Sequence, residues 1–404
     1  MQRTRIGVFF GGQSPEHEVS VITGLQVVAA LDISLYEIVP VYITKDGHWY
    51  IGSELGEISR YSDLKTLVGR SSEVSLSPGP GRTLSLISRK SPFFGAAKEV
   101  LLDVAFLAFH GGSGENGAVQ GLCETMNVPF TGSGVAASAI GMDKVLSKKM
   151  CQMASVPVVE WIELWESEWR GKEDSRLTEI VAQIGFPAIV KPVRLGSSIG
   201  IAKVRDRKTL DDAIEEAFRY DASVLIERCI PNLREINCSV LGDREKCQVS
   251  ILEEPISGEG FLTFQDKYMR ESGSSKSVGS KSQGAAGMAS LDRLIPAPIS
   301  PELGQKIGIF AQDVFKALNC SGVVRIDFLM DDSTQQVWFN EINTIPGSFS
   351  FYLWQPTGIP FEKLVEKLVD LAVSSFDNRS GRVRSYEVNL LAARSVGGLK
   401  GGKS

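Results

Sequence analysis

The stretch Cys320–Ser350 opens with CSGVVRIDFLM, continues through the polar residues DDSTQQ and then reads VWFNEINTIPGS. Both apolar runs are rich in β-branched and aromatic residues, and a polar run separates them, so the sequence predicts a β-hairpin. Side chains two apart on a strand point to the same face. Arg325 and Asp327 therefore share a face of the first strand, and Glu341 and Asn343 share a face of the second.

The opposite face of this hairpin is predicted to be apolar. Val324, Ile326 and Phe328 point away from the polar residues on the first strand, and we expect Trp338 and Ile342 to do so on the second. The polar face gathers two carboxylates, an amide oxygen and a guanidinium. Mg²⁺ prefers such oxygen ligands together with substrate phosphates. A surface salt-bridge cluster or a solvated hairpin face fits the same residues, so both interpretations stay open.

Size and composition describe a multidomain protein of ordinary globular type. A chain of 404 residues is longer than a single hydrophobic core usually accommodates, so two or three domains are expected. Its content of 43% hydrophobic and 23% charged residues is typical of globular proteins. A net charge of −5 predicts no nucleic-acid or membrane partner. The six cysteines have no metal-ligand spacing, and no apolar run reaches a membrane-spanning length. The predicted location is cytoplasmic.

The N-terminal part has the order of an α/β nucleotide-binding unit. A strand at Ile6–Phe10 leads into GGQSPEHEVS and a helix that Ser20 is expected to cap. A second buried strand, Asp103–Phe109, ends at His110 in HGGSGENG, where open α/β sheets bind ligands. Residues 53–99 are polar and predict an irregular surface elaboration.

A second hairpin is predicted within PAIVKPVRLGSSIGIAKV. Its loop, Arg194–Gly200, consists largely of small residues that let backbone N–H groups approach phosphate oxygens. Lys191 precedes the loop and adds a positive charge. A Walker A motif is absent, and a plain β-hairpin without a ligand is the alternative interpretation.

Six segments in order resemble the D-alanine–D-alanine ligases, which are ATP-grasp enzymes. The resemblance covers Arg5 to Val373 and rests on GGQSPEHEVS, HGGSGENG, TGSGVAASAIGMDK, IVKPVRLGSSIG, GVVRIDF and NEINTIPG. It implies an α/β (α+β) fold in a three-domain ATP-grasp architecture with a Rossmann-like N-terminal domain. The implied ranges are an N-terminal domain at 1–131, a central lid domain at 132–227, a C-terminal domain at 228–376 with a closing loop at 265–290, and a flexible tail at 377–404.

The resemblance also implies a role for each matching residue. The residues matching the catalytic groups are Glu16, Ser197, Lys267, Tyr268 and Arg325. The residues expected at the substrates are His110, Gly347 and Tyr352. The residues expected at ATP are Lys144, Lys191, Ser197, Ser198, Glu227, Ile230 and Glu235. The metal ligands are expected to be Asp327, Glu341 and Asn343, the polar face derived above.

The implied reaction joins two D-alanines through a D-alanyl phosphate and releases ADP and phosphate, for peptidoglycan precursor synthesis. Two Mg²⁺ or Mn²⁺ ions and a homodimer are further expectations from the resemblance. Tyr352 stands where relatives often have a serine at the second substrate, so D-serine or D-lactate is the alternative acceptor. Tyr268 favours an amino acid over D-lactate, since relatives that make the ester tend to have histidine nearby. A nucleotide-binding module without turnover is disfavoured, because every matched polar position is occupied.

Overall fold

The computed structural model of the chain describes residues 3–89, 97–196, 198–256 and 293–383. Several predictions above lie outside these residues, namely those for Ser197, Lys267, Tyr268, the closing loop 265–290 and positions 384–404.

The N-terminal unit is built on a seven-stranded sheet in the order β6-β5-β4-β3-β2-β1-β7. The strand β1 pairs in parallel with both β2 and β7, and the other neighbours pair antiparallel. The elements are β1 (Thr4–Gly11), α1 (His17–Ala30), β2 (Tyr36–Ile43), β3 (Trp49–Ile51), α2 (Leu64–Arg70), β4 (Ser72–Pro78), β5 (Leu84–Ser88), β6 (Glu99–Leu102), β7 (Val104–Leu107) and α3 (Ala118–Thr125), with 3₁₀ turns at Ser53–Gly56, Ile58–Asp63 and Gly112–Gly114.

Two local expectations for this unit are wrong. Within 53–99, β4, β5 and β6 extend the sheet instead of forming an irregular elaboration, because Val74, Leu84 and Leu86 bury their side chains in its core. Ser20 does not cap α1, which already begins at His17. Its hydroxyl instead accepts a hydrogen bond from Gly11 N and donates one to Ala108 O, both at 2.8 Å, and so joins the carboxyl ends of β1 and β7.

The central unit contains the predicted phosphate hairpin. Its four-stranded antiparallel sheet has the order β10-β9-β11-β8. The elements from the preceding helices onward are α4 (Val135–Met142), α5 (Lys144–Met153), β8 (Trp161–Trp165), α6 (Glu166–Trp169), α7 (Glu173–Gln183), β9 (Ala188–Pro192), β10 (Ala202–Val204), α8 (Arg207–Phe218) and β11 (Ser223–Arg228).

The C-terminal unit contains the predicted metal hairpin. Its antiparallel sheet has the order β13-β12-β16-β17, with the short pair β14-β15 beside it. The elements are β12 (Leu233–Gly242), β13 (Cys247–Val249), β14 (Glu254–Pro255), β15 (Arg293–Leu294), α9 (Pro301–Ala317), β16 (Gly322–Asp331), β17 (Gln336–Asn343), a 3₁₀ turn at Gly347–Ser350, α10 (Phe351–Trp354) and α11 (Phe361–Ser380).

Apolar packing divides the elements among separate cores. Most of the central sheet and its helices α7 and α8 form a core drawn from residues 162–226 alone. The helices α4 and α5 instead pack with the C-terminal sheet, through side chains such as Ala137 and Cys151. The last helix, α11, packs in the N-terminal core through Leu368 and Val369. The N- and C-terminal units are therefore joined by a shared core.

The helix α11 continues to Ser380, beyond the position 377 at which a flexible tail is predicted to begin. Phe376 is buried in its last turns, and Arg379 donates to Glu124 of the N-terminal unit at 2.9 Å. These partners lie about 250 positions earlier in the chain, so the local pattern of the C-terminal residues does not reveal them. None of the helices within the described ranges is long and apolar enough to cross a membrane.

Candidate active site

The polar face of the β16–β17 hairpin forms as strand alternation predicts. Asp327 lies opposite Glu341, and Arg325 lies opposite Asn343. The Arg325 guanidinium donates from Nε and Nη2 to the two carboxylate oxygens of Asp327, at 2.7 and 2.8 Å. Asn343 Nδ2 donates to Asp327 Oδ2 at 3.2 Å. The four side chains thus form one wall, and their predicted convergence is confirmed.

A β-bulge in the same hairpin overturns one prediction about its apolar face. The strand register shifts between Asp327 and Phe328, so Phe339 pairs with Phe328 in the core while Glu341 still faces Asp327. Trp338 consequently pairs with Leu329 on the side of the polar residues, and its expected position beside Ile342 is wrong. One extra residue in a strand reverses the side-chain alternation beyond it.

The donor set of this wall fits a hard divalent ion. Burial by itself would lower the pKa of Arg325, but the adjacent Asp327 outweighs it and raises that pKa well above its usual value. Across the ranges that the structure describes, no three His, Cys, Asp or Glu side chains come together as a metal site. Two carboxylates and one amide do meet here, and Mg²⁺ ordinarily takes one or two carboxylates and completes its shell with substrate phosphates and water.

Lys144 is placed beside this wall by the start of α5. Asp143 caps the helix by accepting hydrogen bonds from Val145 N and Leu146 N, at 3.0 and 2.9 Å, as short acidic side chains do at N-caps. Lys144 Nζ then lies 2.7 Å from Leu195 O in the phosphate hairpin and 3.4 Å from Glu341 Oε2. It therefore links the two hairpins.

Lys191 and Glu227 meet on neighbouring strands, β9 and β11. Lys191 Nζ lies 2.5 Å from Glu227 Oε2 and donates to Asn340 Oδ1, at 3.0 Å. Burial would raise the pKa of Glu227, but Lys148 and Lys191 together lower it to about 2. The carboxylate is therefore ionised throughout the neutral range. Ser198, the next predicted ATP contact, lies in the turn after β9 with a left-handed φ of 59°.

An apolar cluster adjoins this charged pair. Ile230 packs there, and Glu235 on β12 lies opposite Leu329 in the sheet register. Apolar side chains with a carboxylate at a paired strand position suit a nucleoside, since the base needs apolar contact and the ribose hydroxyls need acceptors. The members of the cluster are Val159, Ile230, Leu233, Leu329 and Trp338.

His110 and Glu16 lie on the other side of the wall, at the carboxyl ends of β7 and β1. His110 is buried, and its Nε2 lies 2.8 Å from Thr23 Oγ1. Burial lowers the pKa of His110 to about 4, and Arg325 adds to that effect. The imidazole is therefore neutral at neutral pH. A Cβ on Gly111 would lie 2.6 Å from Glu16 Oε2, and one on Gly196 would lie 3.2 Å from it, so Glu16 sits between these two loops.

Glu115 is a site residue that the sequence reasoning missed. Its carboxylate accepts hydrogen bonds from Gly111 N at 2.8 Å and from Ile345 N at 3.1 Å, so it ties the HGG loop to the loop after β17. Burial, with Glu16 nearby, raises its pKa to about 8. The available signal in the sequence was an acidic residue within the glycine-rich segment HGGSGENG. A carboxyl group that becomes buried in such a loop needs hydrogen-bond partners, and Glu115 finds them in two backbone N–H groups.

The predicted second-substrate residues lie in the turn after β17. Gly347 lines the cleft, but the Tyr352 hydroxyl donates to the buried Glu253 Oε1 at 3.1 Å. Arg293 lies over the Tyr352 ring at 4.0 Å and donates to Glu253 Oε2 at 2.6 Å. Tyr352 is therefore held in a buried network instead of lining the cleft, because Glu253, distant in sequence, is its hydrogen-bond partner.

Residues of the polar wall, of the loops around Glu16 and His110 and of the phosphate hairpin line a cleft of about 750 Å³ that is open to solvent. It brings together predicted catalytic, substrate, phosphate and metal residues from all three units. The lining includes Glu16, His110, Glu115, Lys144, Leu195, Gly196, Arg325, Glu341, Asn343, Ile345 and Gly347.

Comparison with known families decides the relationship. Residues 5–133 match the family described as D-ala D-ala ligase N-terminus, and residues 150–370 match D-ala D-ala ligase C-terminus. The chain belongs to the D-alanine–D-alanine ligase family. The predicted ATP-grasp fold and the predicted enzyme class, an ATP-dependent ligase of D-alanine that serves cell-wall synthesis, are confirmed by this membership.

Relatives that match over nearly their whole length support the membership of this chain in the ligase family. The D-alanine–D-alanine ligase of Thermosipho melanesiensis is 36% identical over 389 residues, which cover 96% of this chain and 98% of that protein. The enzyme of the same name from Chlorobium limicola is 37% identical over 377 residues, covering 92% and 98% of the two chains. ATP is the co-substrate of this family, and a divalent metal typically accompanies it.

Solved structures agree with the fold of the ligase. The D-alanine-D-alanine ligase from Coxiella burnetii has a TM-score of 0.75 at 28% identity and covers 98% of this chain and 100% of its own. A D-Ala:D-Ser ligase from Enterococcus faecalis has a TM-score of 0.73 at 30% identity, covering 92% of this chain and 100% of its own. The general architecture is thus shared with ligases of two acceptor specificities.

Proposed function

We propose that the cleft joins two D-alanine molecules to D-alanyl-D-alanine through a D-alanyl phosphate, with ATP converted to ADP and phosphate. The observation that carries the proposal is the wall formed by Arg325, Asp327, Glu341 and Asn343, with Lys144 bridging it to the phosphate hairpin. His110 and Glu16 border the same cleft. A triphosphate and an amino acid can therefore meet at this wall.

The nucleotide is assigned to the side of the central unit. Lys144 and Lys191 contact the phosphates, and Ser197 and Ser198 are assigned to the same role. Glu227 and Ile230 contact the base, and Glu235 reaches the ribose. Asp327, Glu341 and Asn343 would hold two Mg²⁺ or Mn²⁺ ions, which supply charge neutralisation at the transferring phosphoryl group.

The first D-alanine binds between Glu16 and His110. Glu16 pairs with its ammonium group, and His110 borders the substrate as a neutral imidazole, because burial lowers its pKa to about 4. Phosphoryl transfer demands positioning and electrostatic stabilisation more than covalent help from the protein. The carboxylate attacks the γ-phosphate of ATP, and the resulting acyl phosphate must be shielded from water. Lys267, Tyr268 and the closing loop 265–290 are assigned to that shielding and to the γ-phosphate.

The second step uses the guanidinium on the wall. The amine of the second D-alanine attacks the acyl phosphate carbonyl, and Arg325 with backbone N–H groups donates hydrogen bonds to the developing oxyanion. The Gly347 backbone N–H donates to the carboxylate of the second D-alanine. Arg325 is held rigidly for this purpose by its two bonds to Asp327. The tetrahedral species collapses to dipeptide and phosphate.

The acceptor is proposed to be D-alanine, with D-serine or D-lactate as the alternative. Tyr352 replaces the serine common in relatives, and its hydroxyl is bonded to Glu253, so a direct bond from the phenol to the acceptor carboxylate is not favoured by this geometry. The D-Ala:D-Ser ligase from Enterococcus faecalis fits the alternative.

The test is phosphate release with D-alanine alone, ATP and Mg²⁺, with the product identified by mass. We expect dipeptide and phosphate in equal amounts. Competition with D-serine and D-lactate across pH then identifies the acceptor, since use of an amine rises with pH as its ammonium loses a proton and use of a hydroxy acid lacks that titration. Phosphate release without dipeptide would contradict the proposal.

A homodimer and a cytoplasmic location are also proposed for the ligase. Light scattering of the purified chain tests the first proposal, and cell fractionation tests the second.

A further inference from the structure

Two lysine side chains contact the same buried carboxylate, that of Glu227, next to the phosphate hairpin. Lys148 is fully buried, and its Nζ lies 2.5 Å from Glu227 Oε1, without the alignment of a hydrogen bond. Lys191 Nζ lies 2.5 Å from the other oxygen of the same carboxylate. Three charges with a net value of +1 are thus enclosed in the protein.

Burying an excess positive charge costs free energy of folding, and a role at the site would explain why the protein keeps it. Burial lowers the pKa of Lys148, and Lys191 adds to that effect while Glu227 opposes it. A single lysine would neutralise Glu227 in a purely structural ion pair. A second lysine becomes useful if one of the two must leave the carboxylate, because an unpaired buried charge is strongly unfavourable.

The helix α5 explains how Lys148 reaches this place. Lys144 and Lys148 are four residues apart, so they project from the same face of the helix. Lys144 points to Leu195 and Glu341, and Lys148 points to Glu227. One helix face therefore supplies Lys144 to the two hairpins and Lys148 to Glu227 on β11, the strand next to β9.

We propose that Lys148 is a positioning residue for the nucleotide, which stays with Glu227 and offsets its charge when Lys191 turns to the phosphates of ATP. The inference rests on the proposed function in one respect, namely that Lys191 is a phosphate ligand. Lys148 itself does not touch the nucleotide and acts through Glu227.

The test is a double-mutant cycle with Lys148→Met and Glu227→Gln. Binding of Mg²⁺ with the non-hydrolysable analogue AMP-PNP is measured by calorimetry in the absence of D-alanine. We expect Lys148→Met to weaken binding about tenfold or more, because Lys191 is then retained by a buried carboxylate. In kinetics, KM for ATP rises and KM for D-alanine does not change.

The double variant separates positioning from direct contact. Once Glu227 is neutral, removing Lys148 should change the affinity less than about threefold relative to Glu227→Gln alone, since no carboxylate needs a counterion. This comparison remains valid if Lys148→Met alone does not fold. Lys149→Met is the matched control, since Lys149 lies on the same helix but is half-exposed beside Glu163, and it should bind as the parent does.

Two results would overturn the inference. One is parental affinity in Lys148→Met, and the other is a double variant much weaker than Glu227→Gln. Failure of the proposed function would be seen separately, as absence of dipeptide from the parent chain that still binds the nucleotide analogue.

Discussion

At the scale of single residues, the cleft depends on charges that are held in pairs. Asp327 pairs with Arg325, Glu341 with Lys144 and Glu227 with Lys191. Each pair joins a residue assigned to the nucleotide or its metal with one assigned to catalysis or phosphate binding. Binding of a charged substrate therefore exchanges existing ion pairs for new ones instead of creating charge in an apolar site.

Glu341→Gln should abolish most turnover while leaving the fold intact. The change removes one of the two carboxylates of the wall but keeps its size, and Glu341 is partly exposed, so packing is preserved. We expect turnover to fall by a factor of about 100 or more, as for loss of charge stabilisation in a transition state. Glu362→Gln, on the exposed first turn of α11, is the control, and near-normal turnover in Glu341→Gln would remove the metal assignment.

Gly111→Ala should raise KM for D-alanine much more than KM for ATP. Gly111 has a φ of +66°, and an added Cβ would lie 2.6 Å from both Glu16 Oε2 and Ser14 Oγ, which displaces the carboxylate. Gly185→Ala is the matched control, because its φ is +72° but its Cβ would meet nothing within 4 Å. Steady-state kinetics of both variants test the prediction. If KM for D-alanine is the same in Gly111→Ala as in Gly185→Ala, Glu16 does not act at the first substrate.

His110 should make the protein less stable below about pH 6.5. Its pKa falls from 6.5 in the unfolded chain to about 4 in the folded one, so below pH 6.5 the unfolded state binds the extra proton. The stabilisation is present above pH 6.5 and is lost as the pH falls toward 4, with a size on the order of 3 kcal/mol at most. His110→Gln should reduce the slope of the free energy of unfolding against pH in this window, and an unchanged slope would contradict the prediction.

At the scale of elements, the hairpins and their bulge place the site. The extra residue in β17 is what allows Phe339 to enter the core while Glu341 faces Asp327. The last turns of α11 have a comparable role, because they fasten the C-terminal unit to the N-terminal one.

Phe376→Ala should destabilise the ligase by about 3 kcal/mol, because it empties a buried aromatic site near the end of α11. Asp377→Ala, one residue later, removes only an exposed ion pair with Arg82 and should cost less than about 1 kcal/mol. Denaturant unfolding of the two variants tests the contrast. A similar small effect of both changes would mean that the helix end is not anchored.

At the scale of the whole molecule, two kinds of core organise the chain. The central unit has a core of its own, whereas α11 contributes to the core of the N-terminal unit. A cleft between units with separate cores can open and close without breaking either core.

Hydrogen exchange should reveal this division. Leu210→Ala, in the central core, should speed exchange in β9 and β11 and leave β1 and β7 protected. Leu368→Ala, in α11, should instead speed exchange in β1 and β7. Each change removes a buried leucine and costs about 3 kcal/mol, so the comparison is balanced. Faster exchange throughout the chain in both variants would show a single cooperative unit.

Local pattern alone determined the two hairpins, the polar wall of Arg325, Asp327, Glu341 and Asn343, and the position of His110 at a strand end. Alternation along a strand depends only on the backbone, so it can be read directly from the order of residues. The order of the six motifs also indicated the family, because each motif is a contiguous segment that can be recognised without the structure.

Tertiary structure alone decided the register and the buried partners. The bulge that turns Trp338 toward the polar side, the Glu115 bridge between Gly111 and Ile345, and the burial of Tyr352 against Glu253 all involve groups far apart in the chain. A side chain's partner and its protonation depend on which distant atoms remove it from water. That environment exists only once the three units have packed together.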